Sequence, residues 1–213
     1  MAATPVCAIA KNKDVASETV AACQSTTDLA ALTDSLIQIG WTPNVPKELD
    51  DRAIRSYAAT YLVNHLGFSD YADARIAATW ELALKNARGA RNLKIVDGSQ
   101  KKDRWFVLKK TGSVLRIDSL EHETYGQISC VLAFKEEDSP VTFERLLGVS
   151  GQDPHTLPPV YHLRGQSAEH NGFKRILNGA ILNKERISAV SETEIDVSSV
   201  YSTFTSKQSG NSE

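Results

Sequence analysis

The chain has 213 residues, 41% of them apolar and 23% charged, with a formal net charge of −2. That is ordinary globular composition, and its balanced charge gives no global pull toward nucleic acid or anionic membrane. The longest uninterrupted apolar run, Cys130 to Phe134, is far short of the roughly 20 residues that span a bilayer, so the sequence offers no transmembrane segment.

The first residues, Met1-Ala2-Ala3-Thr4-Pro5-Val6, lack both a basic and an apolar leader region. Their small side chains suit what remains after a signal peptide is removed, with a start Met in front; an ordinary cytosolic N-terminus is the equal alternative. Residues 13–24 read as a short helix with Val15, Ala16, Val20 and Cys23 along one stripe. Ser25 and Thr26 then offer a cap to a second helix, in which Leu29, Leu32, Leu36 and Ile39 share a face and Gly40 is the stop. Trp41, directly after that stop, is expected to fold back as a core plug. Pro43 and Pro46 mark a loop. A third helix is expected from about Lys47 to Leu66, closed by Gly67, and a fourth from Asp70 to about Arg88, capped by Ser69 and stopped by Gly89. Residues 13–89 are therefore expected to form a helical layer of about four helices.

The run from Arg104 to Phe134 reads as three consecutive antiparallel strands, with turn signals at Thr111-Gly112 and near Gly126. In the middle strand Leu115 and Ile117 alternate with Arg116 and Asp118, which predicts a half-buried strand. Ile128 to Phe134 is different. It is apolar on both faces and so requires cover on both sides. Ser139 as cap and Pro140 at the first position predict a short helix over Val141 to Leu147. Gly148 to Pro159 reads as loop and Val160 to Leu163 as strand. Asn171-Gly172 and Asn178-Gly179 are turn signals, the second making a hairpin, with a helix over 173–190 as its rival. Thr193 to Phe204 is the expected closing strand, and 207–213 a disordered polar tail. The fold class is α+β: one domain over 1–206, its helical part packed on an antiparallel sheet of roughly five strands within 92–205.

Three cysteines, Cys7, Cys23 and Cys130, match no zinc-binding spacing. In an oxidising compartment two of them would pair. Cys7 with Cys23 would close a short loop, whereas Cys23 with Cys130 would pin the first helix to the buried strand. The second pairing is preferred because Cys130 lies in the core stretch, with a small buried hydrophobe the equal reading of that residue. The order of a small-residue helix bearing Cys23, the helix Leu29 to Ile39, Gly40-Trp41-Thr42-Pro43 and a Cys-bearing apolar strand resembles small exported bacterial proteins of unknown function. The resemblance covers about the first 45 residues and the strand around Cys130, and implies export and a disulfide.

From Lys85 to Lys110 the chain carries nine basic residues against Asp97 and Asp103. Interleaved with Trp105 and Phe106, this stretch would suit a nucleic-acid surface with stacking platforms. Against it, Asp118, Glu121, Glu123, Glu136, Glu137 and Asp138 follow in neighbouring strands and would offset the charge across the sheet. His155, His162 and His170, near Asp153 and Glu169, would assemble a metal or acid/base site only by loop folding, because their spacings of seven and eight fit neither a helical pair nor one strand face. Cys130 sits in too apolar a setting for a reactive thiolate. GxSxG, Walker, GxGxxG and HExxH patterns are missing from the sequence, and no cofactor is indicated. The reading is a non-catalytic module, periplasmic or secreted, that binds a macromolecule or a small ligand, with a cytoplasmic location as the alternative. A hydrolase or metal-dependent enzyme using His155 to His170 is one alternative function, and a cytosolic nucleic-acid binder through Lys85 to Lys110 the other.

Overall fold

The computed structural model describes residues 14–66, 71–170 and 172–208. Within them the chain forms six α-helices and a seven-stranded, wholly antiparallel sheet in the order β1-β2-β3-β4-β7-β6-β5. Cys7, the N-terminal segment, the expected stop at Gly67 and the expected cap at Ser69 lie outside the described residues.

Helix α1 (Val15–Ser25) starts at Asp14, whose carboxylate accepts the Ser17 N–H. Helix α2 (Leu29–Ile39) is capped by Asp28, not by Ser25 or Thr26; the Asp28 carboxylate takes the N–H groups of Ala30 and Ala31, while Thr26 orients Asp28 itself. Gly40 ends α2 as expected, at φ 121°, with its N–H turned back to the carbonyls of Leu36 and Ile37. Trp41 is the core plug it was expected to be, and its Nε1 donates to Thr19 Oγ1 at 2.8 Å.

The strand β1 (Thr42–Asn44) follows, an edge of three residues where proline is tolerated. Helix α3 (Asp51–His65) starts after a separate 3-10 turn at Pro46–Glu48 and is capped by Asp50. Helix α4 (Asp73–Gly89) begins three residues later than expected. Gly89 does not stop it: the residue keeps a helical φ of −61° and the chain makes one more turn. That turn is tied down because Arg91 donates to the Leu49 carbonyl and pairs with Asp51.

The three expected central strands are β2 (Lys101–Val107), β3 (Val114–His122) and β4 (Tyr125–Lys135). The short helix after them, α5 (Phe143–Leu147), is capped by Thr142 rather than Ser139. The strand expected at Val160–Leu163 is much longer, and β5 (Val160–His170) forms a hairpin with β6 (Phe173–Leu182). Helix α6 (Lys184–Val190) then leads to β7 (Val197–Gln208).

Segment 173–190 is thus neither a hairpin at Asn178-Gly179 nor one helix. Gly179 is a strand residue, and an added Cβ there would sit 2.9 Å from both Leu163 and the Tyr201 ring. The glycine serves close packing across three strands, not a turn. Strand β7 starts four residues later than expected and runs to Gln208, two residues into the expected tail, because it pairs with β4 as far as Tyr125.

The sheet has seven strands rather than roughly five, and the N-terminal helices are not one layer. Leu32 and Leu36 of α2, with Trp41, pack on Phe106, Leu115, Ile117 and Leu132 on one face. Ile54, Tyr57 and Leu62 of α3, with Trp80 and Leu84 of α4, pack on Trp105, Val114, Ala133 and Val200 on the other. The strand β4 therefore gets the two-sided cover that its apolar run demands. Cys23 and Cys130 are both fully buried and joined by a disulfide, which fastens α1 to the centre of the sheet.

Candidate functional site

The roof of the site is α3. Its N-terminal half is anchored by the Tyr57 ring, packed edge-on against Trp105 at 4.8 Å and against Tyr61 at 5.2 Å. Arg116 lies over the Trp105 ring, donates to Tyr57 Oη at 3.3 Å and pairs with Asp118 at 2.8 Å. Beyond this anchor the C-terminal turns of α3 present Thr60, Val63 and Asn64, at i, i+3 and i+4, to the strands.

The floor comes from two cross-strand rows. Val131, Ser202 and Asn178 stand directly opposite one another on β4, β7 and β6, as do Val200, Ala180 and His162 on β7, β6 and β5. Between roof and floor lies a cavity of about 230 Å³. Alternation places the Tyr201 ring on the opposite face, against Phe134, so this residue meets the cavity through its backbone.

The described lining contains no Asp, Glu, Lys or Arg, and His162 is the one titratable side chain within it. Thr60 Oγ1 donates to the Tyr57 carbonyl, which leaves its lone pairs to accept. His162 Nε2 lies 3.4 Å from the Leu66 carbonyl oxygen, which joins the floor to the end of α3. At the adjoining bulge in β5, an added Cβ on Gly165 would come within 2.7 Å of Asn178 Oδ1, so the glycine makes room for the Asn178 amide.

A larger cleft of about 560 Å³, lined by Lys135, Glu136, Lys184 and Asp196 among others, opens beside the start of α6. Lys135 pairs with Asp196 and Lys184 with Glu136 across it, while Arg52, Lys110 and Glu137 also line it.

The three histidines are not brought together. His155 is exposed in a 3-10 turn, His162 is half-buried in the cavity floor, and His170 is exposed at the far end of β5. The last two stand eight positions apart along β5, a span of roughly 25 Å. Among the described residues no three His, Cys, Asp or Glu side chains are grouped to hold a metal. Trp105 and Phe106 are both buried, on opposite faces of β2, so neither is a stacking platform in the basic segment. Nor is that segment offset across the sheet as expected: Asp118 stands opposite Asp103, while Arg104 and Arg91 pair with Asp97 and Asp51.

Comparison with protein-family models, with curated proteins and with solved structures finds no match. The site therefore rests on its own geometry. Thr60, Val131, Asn178 and Ser202 had no signal in the sequence, apart from Asn178 in an Asn-Gly pair whose flanking apolar residues fit a continuous strand.

The anchor of α3 has a measurable titration. Burial, reinforced by the hydrogen bond with Tyr57, pushes the Tyr61 hydroxyl up from 10.0 to about 12. A raised acid favours the fold while it stays protonated. Stability is therefore full below pH 10, where an unfolded tyrosine ionises, and is lost as the pH rises toward 12. Urea melts across this range should show that loss, and Tyr61→Phe should reduce it, leaving the share of Tyr201, whose hydroxyl burial also pushes up; an unchanged slope in the variant would refute the assignment.

Proposed function

We propose that the protein is an exported, non-catalytic binding module, which holds a small ligand or one unit of a macromolecule in the groove between α3 and the sheet. The observation that carries this reading is the groove itself. It is assembled from α3 and the strands β4 to β7, open to solvent, and lined by the hydrogen-bonding side chains of Thr60, Asn64, His162, Asn178 and Ser202 beside the three valines Val63, Val131 and Val200. As described, that lining supplies donors and acceptors rather than a carboxylate or a thiol. Export is supported by the buried disulfide, since such bonds persist in oxidising compartments and are rare in reducing ones. No described helix is long and apolar enough to cross a membrane.

Two measurements test the reading. Intact mass of natively purified protein, alkylated with and without prior reduction, should show one disulfide; fully alkylated thiols without reductant would remove the support for export. A screen of small polar compounds by amide NMR on the full chain should give saturable shifts clustered at Asn64, Val131, His162, Asn178 and Ser202. Shifts clustered elsewhere, or none with any compound, would defeat the binding reading.

A further inference from the structure

We propose that this groove seats a single neutral sugar ring. The inference rests on the binding reading above and adds the class of ligand.

Charge is the first observation. A carboxylate, phosphate or ammonium entering a described lining whose one titratable side chain is His162 would give up its hydration with no Asp, Glu, Lys or Arg among those described residues to oppose its charge, which is costly. An uncharged ligand avoids that loss. The hydrogen-bonding pattern narrows the class further. Asn64 and Asn178 each offer two amide donors and a carbonyl acceptor, Ser202 offers a hydroxyl, and Thr60, whose hydrogen goes to the Tyr57 carbonyl, offers lone pairs. Sugar hydroxyls both donate and accept, so each can be matched in either direction by this set. An ammonium only donates, and an ionised carboxylate only accepts.

Size sets the length. About 230 Å³ is below the roughly 300–1,000 Å³ of sites for drug-sized ligands, so one ring fits and a chain of rings would extend beyond the groove. The valines of the lining give the C–H face of such a ring an apolar surface. Phe204, two residues along β7 from Ser202 and on the same face, is half-buried and continues that surface outward.

The test is a titration of the isotope-labelled full chain, followed by amide NMR, with four sugars of one ring size. Glucose and N-acetylglucosamine are neutral, glucosamine is cationic and glucuronate anionic. Both neutral sugars should shift Asn64, Asn178 and Ser202 saturably, with dissociation constants on the order of 1–10 mM. The charged pair should bind at least about fivefold more weakly. Asn178→Ala should weaken neutral-sugar binding about fivefold, the loss expected for a single hydrogen bond. Gly165→Ala should do the same by displacing the flexible Asn178 amide, with little change in melting temperature. If Asn178→Ala disturbs the spectrum as a whole, Asn64→Ala, at the exposed end of α3, takes its place.

Equal or tighter binding of glucuronate or glucosamine at the same residues would overturn the neutral-sugar inference and leave the binding reading intact. So would groove shifts from other polar compounds but from no sugar, or variants that bind neutral sugars like the parent. Shifts from no compound at all would defeat both.

Discussion

Removing the Cys23–Cys130 disulfide is expected to lower the free energy of unfolding by about 3–5 kcal/mol and the melting temperature by roughly 10 °C. The bond joins residues 107 apart in sequence, so cutting it releases a long loop in the unfolded chain. It also frees α1, which is held otherwise by the buried hydroxyl of Thr205 donating to the Cys23 carbonyl, by Arg175 donating to the Gln24 carbonyl, and by Trp41 on Thr19. The check is a set of three denaturant curves: the parent with reductant, the parent without it, and the Cys23→Ala, Cys130→Ala double variant. Both sulfurs are fully buried, so native protein should resist mild reduction and yield only once it opens. Coincident curves for parent and double variant would refute the account.

Trp80→Ala is the second large effect. Trp80 is fully buried in α4, and its indole N–H donates to the Thr193 carbonyl at 2.7 Å, which ties α4 to the chain just before β7. Truncation removes the apolar contacts, opens a cavity and leaves a carbonyl without its donor, for a loss of about 3–5 kcal/mol. Trp80→Phe should recover much of the packing but not the hydrogen bond, and lose about 1–2 kcal/mol. If the two variants proved equally stable, the cavity would not be the main cause. Since small domains hold only about 5–15 kcal/mol, the alanine variant should express poorly at physiological temperature.

Much of the interior was legible in the sequence because periodicity and capping are local. Leu29, Leu32, Leu36 and Gly40 specify α2, and Trp41 folds back as its place after the stop required. The two-faced apolar run of Ile128 to Phe134 announced cover on both sides of β4, and that cover exists as α1 and α2 on one face and α3 on the other. Which helix took which face was not readable, because each of the four carries a single apolar stripe that would suit either. The hairpin β5–β6 was legible only at its tip, where the turn signal that includes Gly172 stands between His170 and Phe173. From Arg164 to His170 the strand is exposed and holds few residues of high strand propensity, so only its pairing with β6 makes it a strand. The groove was the least legible part. Thr60 and Ser202 are far apart in sequence, and a site assembled by strand register leaves no spacing to recognise. Histidines attract notice as titratable groups, yet only His162 belongs to the groove, placed there by its pairing with Ala180.

The place of β7 has a consequence for the order of events during synthesis. Among the described strands it is the last to be made, and yet it lies between β4 and β6. Until residues 197–208 leave the ribosome, β4 and the β5–β6 hairpin each present an open row of amides and carbonyls, and no strand pairs with both. The sheet therefore cannot close before β7 has been made, and folding must wait for contacts that are distant in sequence, which makes it slow. For a chain that crosses a membrane unfolded, that delay would be an advantage, because it keeps the chain threadable until the keystone arrives.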